Sequence, residues 1–161
     1  MTTGSAKHEI RLNINGVDHD VIVDARRTLV DAVRDKCGMT GTHIGCEHGV
    51  CGACTILIDD EPVRSCLMFA VQAQGRKIRT VEGLAIDGEY SPLQQAFHDH
   101  HALQCGFCTP GMLMLSTWLV ERGTPVDDEE LREVVASNLC RCTGYQNILK
   151  AVRSVLDGDK P

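Results

Sequence analysis

Aromatic side chains are scarce in this chain: three Phe, two Tyr and one Trp among 161 residues. The length allows one ordinary domain or two small ones, and small domains bury little apolar area unaided. With so few aromatics, something besides packing is expected to hold the fold. No apolar run approaches the roughly 18 residues of a membrane span, so no transmembrane segment is expected. The opening MTTGSAKHEIR has no apolar stretch behind its charges, and Arg26-Arg27 is not followed by one either, so neither reads as an export signal. A basic stripe is missing too: the formal net charge is −6, which excludes nucleic acid as a partner. No G-x-G-x-x-G follows a strand, no P-loop is present, and no nucleotide cradle results. The expected location is cytoplasmic, where thiols stay reduced and clustered cysteines signify metal or redox chemistry.

Cysteine is what the chain has in quantity. Its nine cysteines fall into two groups of four and one left over. The first group is Cys46, Cys51, Cys54 and Cys66, in GCEHGVCGACTILIDDEPVRSC. Its C-x4-C-x2-C opening is the plant-type [2Fe-2S] spacing. Three thiolates must converge on one small anionic cluster, so the backbone has to curl tightly around it. Gly45, Gly49 and Gly52 allow positive φ and close approach. Amide N–H groups in such a curl can donate to the sulfurs. Cys66 follows an apolar run, a turn and a second extended run, so a hairpin would return it to the same end. Structural zinc also suits four thiolates, although it usually uses two separated knuckles.

The second group pairs Cys105 and Cys108, in QCGFCTPG, with Cys140 and Cys142, in NLCRCTGY. A C-x2-C alone would fit zinc or a thioredoxin-like motif equally well. The surroundings are helical. Ser91-Pro92 reads as an N-cap and N1 proline opening a helix, and Thr109-Pro110 repeats the device for MLMLSTWLVER, which Gly123 stops. Asp127 with Glu130 resembles a capping box, and Thr143 is expected to cap a last helix through Ile148, Leu149, Val152 and Val155. Each cysteine pair then sits just before a helix N-terminus, where free N–H groups favour anionic thiolates. The spacing supports a second iron–sulfur cluster, with zinc as the alternative.

Upstream, Ile10, Leu12 and Ile14 alternate, Asn15-Gly16 is a type I′ turn signal, and Val21 to Val23 returns. A helix over Thr28 to Lys36 precedes the first cysteine loop, and TILI and KIRTV supply further strands. The expected organisation is α+β over residues 1–83 and all-helical over 84–161, joined by a segment containing Asp87-Gly88.

Both cysteine groups, in this order and spacing, resemble the small iron–sulfur subunit of the molybdenum hydroxylases, the xanthine dehydrogenase and aerobic carbon monoxide dehydrogenase family. QCGFCTPG and NLCRCTGY carry the resemblance, all eight ligand positions are present, and it spans essentially the whole chain. THIGC and SCLMFAVQAQG are most similar to the members in which this module is a separate polypeptide. The resemblance implies an N-terminal β-grasp, plant-ferredoxin-like domain holding one [2Fe-2S] cluster and a C-terminal four-helix-bundle domain holding the other. It implies a large partner with a molybdenum–pterin cofactor in its cytosine dinucleotide form, a medium partner with FAD, and a dimer of heterotrimers. Electrons would pass from molybdenum to the helical-domain cluster, then to the ferredoxin-like cluster, then to FAD. The hydroxylated substrate would be small, such as CO, an aldehyde or an N-heterocycle. Gln104 and Cys142 would face the pterin. No Ser–His–Asp set or paired carboxylates present themselves on this chain, and one-electron transfer needs none. The other readings are a free-standing electron carrier and a zinc-stabilised interaction module.

Other residues take plainer readings. Cys37 reads as a small buried hydrophobe. His98 and His101, i and i+3 on a helix, read as a solvated face, and His43 and His48 as exposed loop histidines flanking the first group. Trp118 reads as helix core or subunit interface, Arg141 as solvent- or partner-facing, and Asp127 to Glu130 as a solvated acidic helix start.

Overall fold

β1 (Lys7–Ile14) and β2 (Val17–Asp24) form the antiparallel hairpin that the alternating pattern predicts, in register from Lys7 opposite Asp24 to Ile14 opposite Val17. Asn15 and Gly16 turn it with φ of 52° and 81°, both positive as a type I′ turn requires. The structure, a computed structural model, describes residues 6–158. Thr28 caps α1 (Leu29–Asp31) by accepting from Asp31 N, and the helix widens into an i→i+5 turn over Ala32–Lys36 that Cys37 N closes onto Ala32 O at 3.1 Å. β3 (Thr55–Ile58), β4 (Glu61–Arg64) and β5 (Lys77–Arg79) complete a five-stranded sheet of order β2-β1-β5-β3-β4. β1 and β5 run parallel; the other neighbours run antiparallel.

One face of this sheet buries Ile10, Leu12, Ile14, Ile56, Ile58 and Ile78 against Leu29 and Val33. β3 is buried at every position, because Leu57 points the other way into a second core. A strand covered on both faces reads as a continuous apolar run, as TILI does.

The second core belongs to four helices: α2 (Pro92–Asp99), α3 (Thr109–Glu121), α4 (Asp128–Ala136) and α5 (Gln146–Leu156). Their shared interior includes Phe97, Met112, Leu119, Val135, Ile148 and Val152, all at most 1% exposed. The mixed α+β class is therefore as the sequence reads. Asp87 and Gly88, both at positive φ, turn the linker, where Ile86 and Glu89 exchange backbone hydrogen bonds. Ser91 caps α2 reciprocally with Gln94, and Asp127 caps α4 by accepting from Glu130 N at 2.8 Å. Among the described residues no helix is long and apolar enough to cross a membrane.

Three local expectations fail. Thr109 does not cap α3: Cys108 in its αR conformation takes the cap position, which places Thr109 inside the helix. Thr143 does not cap α5, because Tyr145 turns left-handed at φ 66° and delays the helix to Gln146. Thr143 Oγ1 instead accepts from Tyr145 N at 3.1 Å. His98 and His101 share no helix face: α2 ends at Asp99, and His101 sits beyond it at φ 51°.

Candidate metal centres

The first four cysteines meet where the chain passes from the widened turn into β3. Cys46, Cys51 and Cys54 lie on the connecting loop, and Cys66 lies in the tight turn that follows β4. Pairing of Thr55 with Arg64 returns Cys66 to the level of Cys54, and Ser65 fixes the return by donating its N–H and its hydroxyl to Cys54 O at 3.3 and 2.7 Å. The loop curls with N–H groups turned inward. His48 N and Cys51 N donate to Cys46 Sγ at 3.3 and 3.4 Å. Those two donors, that of Cys51 first, hold the Cys46 thiol down at about 6. Burial, and then the neighbouring Cys54 thiol, push Cys66 up to about 11. Gly49 and Gly52 supply positive φ, and a Cβ on Gly45 would stand 3.0 Å from Cys51 Sγ.

The second four meet where two helix connections come together. Cys105 and Cys108 lie between α2 and α3, and Cys140 and Cys142 between α4 and α5. Cys105 Sγ and Cys142 Sγ are 3.5 Å apart. Burial, then the Cys140 thiol, push Cys108 up to about 12. Burial alone would raise Cys140 as well, but the Thr143 hydroxyl and N–H outweigh it and lower its pKa. The Phe107 N–H lowers Cys105. The quartets differ in exposure: Cys54 and Cys66 are buried, whereas Cys105 and Cys142 open to the surface beside the exposed Gln104.

Among the described residues no three or more His, Cys, Asp or Glu close on one point as a single ion would need. A two-iron cluster spreads four thiolates over two metal atoms, and the thiols here approach one another in pairs. Soft thiol donors, a glycine-permitted curl and inward N–H groups fit such an anionic cluster in both places.

The quartets are physically joined. Leu139 N donates to Cys51 O at 2.8 Å, linking the loop of the second group to a cysteine of the first. Arg64 hydrogen-bonds Thr55 Oγ1 through one guanidinium nitrogen and Ser137 O at 2.9 Å through the other. His43 shares a 2.8 Å hydrogen bond with Phe107 O and stacks on the Phe107 ring at 4.9 Å. His43 is thus half-buried between the halves rather than an exposed loop residue, because Phe107 covers it. His48 stays exposed, its ring nitrogen bonded to Cys46 O.

Sequence reading missed Arg64, Ser137 and Asn138 as joints. All three are polar and ordinary until the fold places them at one seam. Cys37 is half-buried against the first core, and burial raises its thiol pKa. Trp118 packs partly into the helical core with the Arg122 guanidinium 4.9 Å above its ring. Arg141 is exposed, as are Asp127, Asp128 and Glu129. Asp128 pairs with Arg153 and Glu130 with Arg122, each at 2.8 Å, so the acidic run is an exposed helix start with two of its four carboxylates ion-paired.

Two family models match the chain. A "2Fe-2S iron-sulfur cluster binding domain" covers residues 12–84, and a "[2Fe-2S] binding domain" covers residues 80–153. The chain is 57% identical over 153 residues to caffeine dehydrogenase subunit gamma of Pseudomonas sp. (strain CBB1), covering 93% of this chain and 92% of that protein. It is 56% identical over 154 residues to the nicotine 6-hydroxylase small subunit of Paenarthrobacter nicotinovorans, covering 94% and 93%. Among solved structures it matches a chain of quinoline 2-oxidoreductase from Pseudomonas putida 86 with a TM-score of 0.89 at 50% identity, over 96% of this chain and 97% of that one.

Proposed function

The chain belongs to the small iron–sulfur subunits of the molybdenum hydroxylases, and we propose that it relays electrons through two [2Fe-2S] clusters within a larger oxidoreductase. One observation carries the reading: two cysteine quartets, each lined by N–H donors, are tied to each other by the 2.8 Å bond from Leu139 N to Cys51 O. Cys46, Cys51, Cys54 and Cys66 hold the first cluster, and Cys105, Cys108, Cys140 and Cys142 hold the second. When bound, each cluster accepts and releases one electron at a time. The chain's residues supply thiolates, turn N–H groups toward them and fix the separation of the two sites. In this reading the chain is the non-catalytic, electron-transferring subunit, and substrate is handled by a partner.

The domain division at residues 83 and 84 is supported by family matches that meet over residues 80–84. The β-grasp and four-helix assignments rest on the five-stranded sheet and on the four helices with their own core. A large subunit with molybdenum–pterin in its cytosine dinucleotide form, a medium subunit with FAD, and a cytoplasmic dimer of heterotrimers complete the proposal. The relay runs from molybdenum through the second site to the first and on to FAD. In its support, Cys105, Cys142 and Gln104 are exposed, so the second site is open to the surface, and in the proposed relay Gln104 and Cys142 face the pterin. A Gln amide both donates and accepts, as a pterin edge requires. Of the small substrates considered, CO, an aldehyde or an N-heterocycle, the relatives' names, which mention caffeine and nicotine, support an N-heterocycle.

Affinity purification of the chain from its native host tests the assembly. The expected result is co-elution with two larger chains carrying FAD and molybdenum. Elution alone and free of both cofactors would favour a free-standing carrier, and a colourless, zinc-loaded chain would favour the interaction module.

A further inference from the structure

Asn138 is 1% exposed, and its amide nitrogen Nδ2 has no hydrogen-bond partner among the described residues. A buried donor left unpaired is costly, so such groups almost always have an acceptor. Its place is unusual. Asn138 stands two residues before Cys140 and one before Leu139, the residue that bonds Cys51 O. Its side chain presses on the curl of the first quartet: a Cβ on Gly52, between Cys51 and Cys54, would lie 1.8 Å from Asn138 Oδ1. Glycine at this point, at φ +73°, is what lets the amide in. Thr55 Oγ1 lies 3.5 Å from Asn138 Oδ1, but it already donates to Gly52 O at 2.6 Å. Turned end for end, the amide would put its NH2 at that same 3.5 Å from Thr55, long for a hydrogen bond.

We propose that Asn138 is a positioning residue for the first cluster, its side-chain N–H donating to a sulfur of the centre held by Cys46, Cys51, Cys54 and Cys66. The acceptor is a thiolate or bridging sulfide, the anionic sulfur that the curl encloses. The inference rests on the two-cluster reading above. A donor to sulfur favours the more negative, reduced state. Asn138 therefore makes the first site a better electron acceptor than it would be without that donor, although the residue is carried on the polypeptide loop of the second.

The test uses the assembled complex with asparagine labelled with 15N in the side chain only, reduced and examined by pulsed EPR. The first-cluster signal is the one that Cys66→Ser alters. A 15N coupling on that signal is expected, and it should vanish in Asn138→Leu, which is near in volume and adds no charge. The same variant should make the first cluster about tenfold harder to reduce, a fall of about 59 mV for one electron, and leave the second in place. Should Asn138→Leu not fold, the wild-type coupling still decides. Both cluster signals present without a 15N coupling, or with it on the second signal only, would overturn the proposal. Absence of any reduced [2Fe-2S] signal would overturn the cluster reading instead.

Discussion

Three glycines allow the cost of the seam to be worked out term by term. Gly52 has φ +73°, and a Cβ there would meet Asn138 Oδ1 at 1.8 Å and Asn138 Cα at 3.0 Å. The second contact is backbone, so turning a side chain aside does not remove it. Gly123 has φ +64° but nothing within 4 Å of a Cβ. Gly111 has ordinary helical backbone, yet a Cβ would lie 2.3 Å from Gly52 O. Gly123→Ala therefore isolates the left-handed backbone penalty, about 1–2 kcal/mol. Gly111→Ala isolates overpacking, about 1–3 kcal/mol, of which alanine's helix preference returns about 1. Gly52→Ala carries both penalties, about 2–5 kcal/mol, and its relief must part Cys51 from Leu139. At roughly 2–4 °C per kcal/mol for a chain of this size, the order of melting points is measurable by calorimetry at matched iron content. Gly52→Ala should melt lowest and should also weaken the magnetic coupling between the two reduced clusters. A Gly52→Ala protein as stable as Gly123→Ala, with undiminished coupling, would refute the claim that the seam is packed tightly there.

Other outcomes follow from the same geometry. Lys77 N–H at 2.9 Å, and then Arg76 at 2.7 Å, hold the Asp59 carboxyl below its usual value. A lowered carboxylate stabilises above its unfolded pKa and loses that contribution as pH falls through the folded one. Asp59→Asn should therefore be less stable than wild type at neutral pH, with the gap in urea titrations starting to close only as pH falls below about 4; a constant gap would contradict this. Gln104→Ala in the assembled complex should leave both clusters in place and slow reduction of the second by substrate, but not by dithionite. Rapid-freeze EPR separates the two, and wild-type kinetics with substrate would remove Gln104 from the pterin contact. Iron removal should loosen both halves, since each core is small and poor in aromatics; native near-UV dichroism and protease resistance in the iron-free chain would count against that.

The Asn15-Gly16 hairpin, the Ser91 and Asp127 caps and both cysteine groups were legible because each depends on a few neighbouring residues. The failures were local in another way. Thr109 and Thr143 are competent caps displaced by the turns that gather the cysteines: Cys108 takes one cap position, and left-handed Tyr145 postpones the other helix. TILI was legible as a strand, but not as one buried on both faces, because that depends on α3 arriving from about sixty residues away. Arg64, Asn138 and the His43–Phe107 stack were illegible for the same reason. Each is a contact between segments far apart in sequence, and no local pattern marks a polar residue that a distant loop will bury.

The central claim is that this one chain holds two [2Fe-2S] clusters on two cysteine quartets. Iron analysis with EPR of the dithionite-reduced chain in its complex tests it most directly. About four iron atoms per chain and two distinct signals are expected, one lost or altered in Cys46→Ser and the other in Cys140→Ser. About two iron atoms with a single signal, or zinc in place of iron at either quartet, would contradict it.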